Sequence, residues 1–262
     1  MPSFVMKCGG STLAALPDLF FEELKQLQSD GIVPVIVHGG GPAISATLEK
    51  LEIPTQFVNG LRKTSEEVLD VVEMVLSGQI NKQIVRKLNQ AGAHAIGLSG
   101  IDGNLIEAQP VEGHEEIGFV GDVTQVRADL IEGIIGLGAI PVIAPLGIDA
   151  KGQRYNINAD TSAGAVAASL GVEHLIVVTD VPGMMKTVNG EKVILPATTE
   201  AEIQEMIQSG EIYGGMIPKV KAALKCLQGG VSEVVIVSGT KPGVLGRVLR
   251  GEAEGTRIRK SQ

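Results

Sequence analysis

The chain has 262 residues, 44% of them hydrophobic but only 3% aromatic, and it contains no tryptophan. Its core must therefore rest on Val, Ile, Leu and Ala, the usual composition of parallel sheets covered by helices on both faces. With 22 Lys and Arg against 30 Asp and Glu, the formal charge is −8, which argues against binding nucleic acid or an anionic membrane through the overall field.

Strand-like and helix-like patterns alternate along the chain. Ser3 to Cys8 reads as a strand, and Asp18 to Gln28 as an amphipathic helix with apolar positions at Leu19, Phe20, Leu24 and Leu27. Val33 to Val37 is a second strand, followed by a helix from about Pro42 to Leu51, where proline in the first turn removes an N–H that has no intrahelical partner. The TSEE run opens a helix from Thr64 to Leu76, and Asn81 to Asn89 reads as another. Ala95 to Leu98 is strand-like, and the glycine-punctuated stretch from Leu105 to Val126 suggests hairpins. A helix over Asp129 to Leu137 and a strand over Val142 to Ala144 follow. Asn158 to Leu170 is an alanine-rich helix with Asn158 as N-cap and Asp160 in its first turn, and Leu175 to Thr179 is a β-branched, buried strand. VPGMMK reads as a turn, Ala201 to Ile207 and Pro218 to Cys226 as helices, and Val234 to Val237 as the last strong strand. The alternation predicts an open, mostly parallel α/β sheet sandwiched by helices, with a division into lobes near Gly171.

Glycines and lysines mark where chemistry would gather. Lys7 ends an apolar run and precedes Gly9 and Gly10. Gly39, Gly40 and Gly41 lie between a strand and a proline-started helix, and Lys219 follows Gly214 and Gly215. Successive glycines let several N–H groups converge on an anion, and a helix N-terminus reinforces such a nest. Lysines beside two nests suggest a site that holds and moves a phosphoryl group. Neither GxxxxGK[ST] nor GxGxxG occurs, so a different scaffold is required. Asp160, in the first turn behind the Asn158 N-cap, is favoured there by the helix dipole and also offers a carboxylate to fix the lysines, while Arg62 reads either as a loop cation or as a fork for a carboxylate. The four histidines, His38, His94, His114 and His174, have no metal-ligand spacing, His38 reads as structural, and no GxSxG or HExxH is present. The lack of a general base suits an acceptor that is already anionic, such as a carboxylate of pKa ~4.3.

Cys8 and Cys226 form no CxxC or metal spacing and read as reduced, buried thiols. The N-terminus lacks the pattern of a secretory signal and no apolar stretch approaches ~18 residues, so a soluble cytoplasmic protein is expected.

KCGGST, VIVHGGGP, NGLR, NINAD, TDVPG and GGMIPKV, in this order, resemble the amino acid kinase family and, within it, the acetylglutamate kinases. The resemblance runs from Val5 to the GTRI segment, Gly255 to Ile258. It implies an open αβα sandwich with a mainly parallel sheet of eight strands, residues 1–171 forming an acetylglutamate lobe and 172–262 an ATP lobe. It further implies ATP-dependent phosphorylation of the γ-carboxylate of N-acetyl-L-glutamate in arginine biosynthesis. Carried over residue by residue, Lys7 and Lys219 stabilise the transferring phosphoryl group and Asp160 organises both. Gly40 and Gly41 hold the acceptor carboxylate, and Arg62 and Asn156 bind its α-carboxylate end. Gly9 and Gly10 contact the phosphates. Thr179, Asp180, Gly183, Met184, Glu211, Ile212 and Tyr213 line the nucleotide pocket, with Mg2+ held mainly by the nucleotide. Arginine-inhibited members carry a further helix ahead of the first strand, and here six residues precede Lys7. A homodimer insensitive to arginine is therefore expected. Another acceptor within the family, or a sensing module that binds amino acid and nucleotide without turnover, are the alternatives.

Overall fold

A computed structural model describes residues 4–9, 16–113, 115–188, 191–213, 216–228 and 231–260. Strand β1 (Phe4–Cys8) leads through helix α1 (Asp18–Ser29) to β2 (Pro34–His38) and α2 (Gly41–Lys50). A small hairpin, β3 (Phe57–Val58) and β4 (Leu61–Arg62), precedes α3 (Glu66–Glu73), a π-helical stretch (Met74–Ile80) and α4 (Asn81–Gln90). Then come β5 (Ala95–Ser99), β6 (Ile106–Pro110), β7 (Val120–Val126), α5 (Ala128–Gly136), β8 (Ile140–Ala144), β9 (Leu146–Ile148), β10 (Arg154–Ile157) and α6 (Ala159–Ser169). The remainder is β11 (His174–Thr179), the hairpin β12 (Met185–Val188) and β13 (Glu191–Ile194), β14 (Ala197–Thr199), α7 (Glu200–Gln208), α8 (Met216–Gln228), β15 (Glu233–Ser238), α9 (Val244–Leu249) and β16 (Thr256–Arg259).

Eight strands form one sheet in the order β14-β16-β15-β11-β1-β2-β8-β5, parallel except where β16 runs against β15. The four strands on one side come from residues before 171 and the four on the other from residues after it, so the sheet is continuous across the division near Gly171. Period-two alternation builds a core on each face. Phe4, Met6 and Cys8 of β1 and Ile176 and Val178 of β11 pack with α1, α2, α3, α4 and α9. Val5, Val35, Val177 and Ile236 pack with α5, α6, α7 and α8. This is the αβα sandwich expected from the sequence.

Several local readings change. Leu19 is 55% exposed and Phe21 is buried instead, because α1 turns its apolar stripe one position further along. The two helices expected over Thr64 to Asn89 run on without a break through the π-helical stretch, with Ser65 capping the first by accepting from the Val68 N–H. The hairpin expected between Leu105 and Val126 exists as antiparallel β6 and β7, but β9 and β10 close it into a four-stranded barrel. Arg154–Ile157 and Leu146–Ile148 are too short to announce themselves as strands. Among the described residues no helix is long and apolar enough to cross a membrane.

Candidate active site

The parallel strands β1, β2 and β11 end at the same edge of the sheet, where ligands of open α/β sheets gather. Alternation along β1 turns Lys7 away from the Phe4, Met6 and Cys8 face and toward α6. The first turn of α6 is pinned by the Asn158 side chain, whose Oδ1 accepts from the Asp160 and Thr161 N–H groups at 3.0 and 3.2 Å. Asp160 thereby meets the Lys7 ammonium at 2.7 Å, the only donor the described residues give its Oδ1. Burial pulls the Lys7 pKa down, but the Asp160 carboxylate outweighs it and leaves the ammonium above its ordinary value. Lys7 is thus a fixed, fully charged cation.

Helix α2 brings its N-terminus to the same place. Gly40 is its N-cap and Gly41 its first residue, with Pro42 in the first turn. A Cβ on Gly40 would lie 2.4 Å from Ile80 Cδ1 and 2.5 Å from Leu76 Cδ2, so the π-helical stretch packs directly on the glycine backbone. That stretch is tied to the sheet through Asn81, which donates to the Val142 and Leu98 carbonyls at 2.9 and 3.1 Å and approaches His38 Nε2 at 3.3 Å. The other ring nitrogen of His38 lies 3.2 Å from the Gly39 carbonyl, which only accepts, so Nδ1 carries the proton and the ring is neutral. Burial drives its pKa down to about 4. His38 is therefore structural, as expected.

Arg62, at the end of the β3–β4 hairpin, lies against the first turns of α2. It is buried, stacks its guanidinium 4.7 Å above the Phe57 ring, and donates from Nη2 to the Gly41 carbonyl and Ser45 hydroxyl. Its Nη1 is buried without a hydrogen-bond partner, and no carboxylate pairs with Arg62 among the described residues. Desolvation lowers its pKa. A buried guanidinium with an idle donor invites an anionic ligand. Asn156, from β10, completes the wall.

Lys7, Gly9, Gly40, Gly41, Arg62, Asn156 and Asp160, seven residues singled out from the sequence, all line one cavity of about 270 Å³. Positive charge and two helix N-termini face it, while Ile44, Leu76 and Val120 supply apolar walls. Gly10 lies outside the described residues, as do Gly214 and Gly215.

Lys219 stands elsewhere and in a different pairing. The sequence suggested that Asp160 would organise both lysines, but Lys219 forms an ion pair with Asp180, just beyond β11. That contact holds the Asp180 carboxyl below its ordinary pKa. Helix α8, which carries Lys219, nevertheless packs closely on α6. A Cβ on Gly164 would lie 2.6 Å from the Cys226 carbonyl oxygen, and the Cys226 thiol donates to the Asp160 carbonyl at 3.3 Å. The remaining positions lie around the end of β11. The Thr179 hydroxyl accepts from the Val181 N–H, and Met184 is buried and donates its N–H to the Thr256 hydroxyl at 2.8 Å. Gly183 has φ +155°, and a Cβ there would meet Thr256 Oγ1 at 2.8 Å. Ile212 is buried in the same core as Met184, whereas Tyr213 is 63% exposed and Glu211 lies at the surface. Thr256 carries no sequence signal, since it acts through Met184, distant along the chain, and Phe57 was missed although its partner Arg62 faces it across the same short hairpin.

Fold and site together define an α/β protein with a cationic, glycine-lined cavity at the carboxyl ends of parallel strands. The Amino acid kinase family profile matches residues 2–238. The acetylglutamate kinase of Geobacillus kaustophilus is 50% identical, with 98% of this chain and 96% of that protein aligned. The acetylglutamate kinase of Brevibacillus brevis is 51% identical, over 97% and 96% respectively. A crystal structure of a Streptococcus mutans UA159 protein superposes with a TM-score of 0.81 at 34% identity, covering 98% of each chain. The chain belongs to the amino acid kinase family.

Proposed function

We propose that this kinase transfers the γ-phosphoryl group of ATP to the γ-carboxylate of N-acetyl-L-glutamate, a step of arginine biosynthesis. The observation that carries the proposal is the idle, buried Nη1 of Arg62 in one cavity with Lys7 and the glycine N-terminus of α2. An acceptor with two carboxylates would use both ends: Arg62 and Asn156 take the α-carboxylate end, and the Gly40 and Gly41 N–H groups take the γ-carboxylate.

A carboxylate oxygen then attacks the γ-phosphorus as the bond to the β,γ-bridging oxygen breaks, giving an acyl phosphate and ADP. The acceptor is already ionised at neutral pH, so no proton has to leave and no general base is needed. The protein supplies position and charge. Lys7, held by Asp160, faces the phosphoryl oxygens, and Lys219 joins it once its ammonium leaves Asp180 for the nucleotide. Gly9 and Gly10 approach the phosphates. Thr179, Asp180, Gly183, Met184, Glu211, Ile212 and Tyr213 surround the nucleotide. The acidic groups nearest the transfer path are engaged with lysines, a donor set that suits Mg2+ held mainly by the nucleotide phosphates, where it would neutralise developing charge.

Residues 1–171 form the acceptor lobe and 172–262 the nucleotide lobe. The enzyme works in the cytoplasm as a homodimer, which light scattering checks: a monomer or a hexamer counts against it. Trapping the product with hydroxylamine, in the presence of ATP, magnesium and N-acetyl-L-glutamate, tests the reaction itself.

A further inference from the structure

Thr64 lines no part of the cavity, yet it touches both residues assigned above to the α-carboxylate end. It is fully buried. Its hydroxyl donates to the Arg62 carbonyl at 2.7 Å and accepts from the Asn156 side-chain amide at 3.2 Å. A hydroxyl has one proton, and the carbonyl takes it, so the lone pair left for Asn156 admits only the NH2 end of that amide. The contact therefore sets which way the Asn156 amide faces. It leaves the carboxamide oxygen and one N–H of Asn156 without a protein bond among the described residues.

The backbone of Thr64 is as firmly held as its side chain. Its N–H donates to the Ile117 carbonyl at 2.7 Å, and its carbonyl accepts from the Phe119 N–H at 2.8 Å, forming a parallel bridge to Gly118. The approach is close: Gly118 has φ +72°, and a Cβ there would lie 2.4 Å from the Thr64 carbonyl oxygen. Asn156 is in turn anchored by its own N–H to the Phe119 carbonyl at 2.9 Å. Hairpin β3–β4 and strand β10 thus meet at the Thr64 hydroxyl, while the segment just ahead of β7 holds the Thr64 backbone.

Resting on the acceptor-binding roles proposed for Arg62 and Asn156, we infer that Thr64 is a positioning residue that fixes the spacing of these two groups and the orientation of the Asn156 amide. It acts on acceptor recognition and not on the nucleotide. Threonine is suited to the task, because its methyl group fills the buried site while its hydroxyl bridges two partners. Serine retains the bridge and valine retains the volume.

The test is steady-state kinetics with whichever acceptor the parent enzyme uses best from a panel of N-acetyl-L-glutamate, L-glutamate and L-aspartate. Thr64→Val leaves the Arg62 carbonyl and the Asn156 amide unpaired, a loss that corresponds to about tenfold or more in equilibrium terms. The acceptor KM should rise by that factor, with the ATP KM unchanged and kcat altered far less. Thr64→Ser should restore most of the parent's KM, and Thr64→Cys should fall between them and serve if the valine variant does not fold. In an Asn156→Ala background the Thr64→Val effect on acceptor KM should shrink. An unchanged acceptor KM in folded Thr64→Val, equal rises for ATP and acceptor, or a serine variant as impaired as the valine one would overturn the inference. Preference of the parent for a different acceptor would overturn the proposed substrate while leaving the role of Thr64 tested.

Discussion

At the scale of single residues the site is an arrangement of cations with unequal freedom. Lys7 is only 13% exposed and locked to Asp160, whereas Lys219 pairs with an exposed aspartate and is free to exchange it. Both ammonium groups would face charge that moves during transfer. Lys7→Ala and Lys219→Ala should each lower kcat by ~100- to 1000-fold, with smaller effects on either KM, as for loss of other transition-state donors. Initial-rate measurements decide this, and near-parental kcat in a folded variant would remove that lysine from the mechanism. The residues that line the cavity were largely legible in the sequence, because glycine runs beside lysines at strand ends suggest a place where an anion could be held. Partnerships were less so. Nothing in the local sequence says that Lys219 meets Asp180, or that Thr64 lies between Arg62 and Asn156, since each contact joins segments brought together only by the fold.

At the scale of elements, the glycine nest depends on what packs behind it. The π-helical stretch presses Leu76 and Ile80 onto Gly40 and is anchored through Asn81 to neutral His38. His38 titrates at about 4 in the folded chain and at ~6.5 unfolded. The unfolded state therefore binds the extra proton between those values, and stability falls as pH drops from ~6.5 toward 4. The shift corresponds to about 3 kcal/mol. Denaturant unfolding of the parent and His38→Gln should show their stability difference narrowing by that order between pH 7 and pH 4, and a constant difference would contradict the assignment. Gly164 makes the equivalent contact between α6 and α8. A Cβ there meets the Cys226 backbone carbonyl, which cannot swing aside. Gly164→Ala should cost about 1–3 kcal/mol and lower kcat through displacement of Lys219 relative to Asp160. Unaltered melting together with unaltered turnover would show that the helices have more room than the geometry allows.

At the scale of the whole molecule, the sequence made the large sheet readable and the small barrel obscure. Strands such as β11 and β15 are buried on both faces and appear as unbroken β-branched runs. Strands β9 and β10 have three and four residues, and their pairing with β6 and β7 comes only from closure. Yet that barrel carries Asn156 and walls the cavity with Val120. The sheet in turn divides into two four-strand halves on either side of residue 171, which supports one lobe for each substrate and transfer at the boundary between them.

The central claim, transfer to an acylated glutamate, is tested most directly by comparing kcat/KM for N-acetyl-L-glutamate and L-glutamate in a hydroxylamine-trap assay with ATP and magnesium. A free α-ammonium beside Arg62 and Lys7 would enter a cationic cavity without a partner, a cost of several kcal/mol. The predicted result is hydroxamate formation at least about 100-fold more efficient with the acetylated substrate. Comparable efficiency on the two, or no product from either, would contradict it.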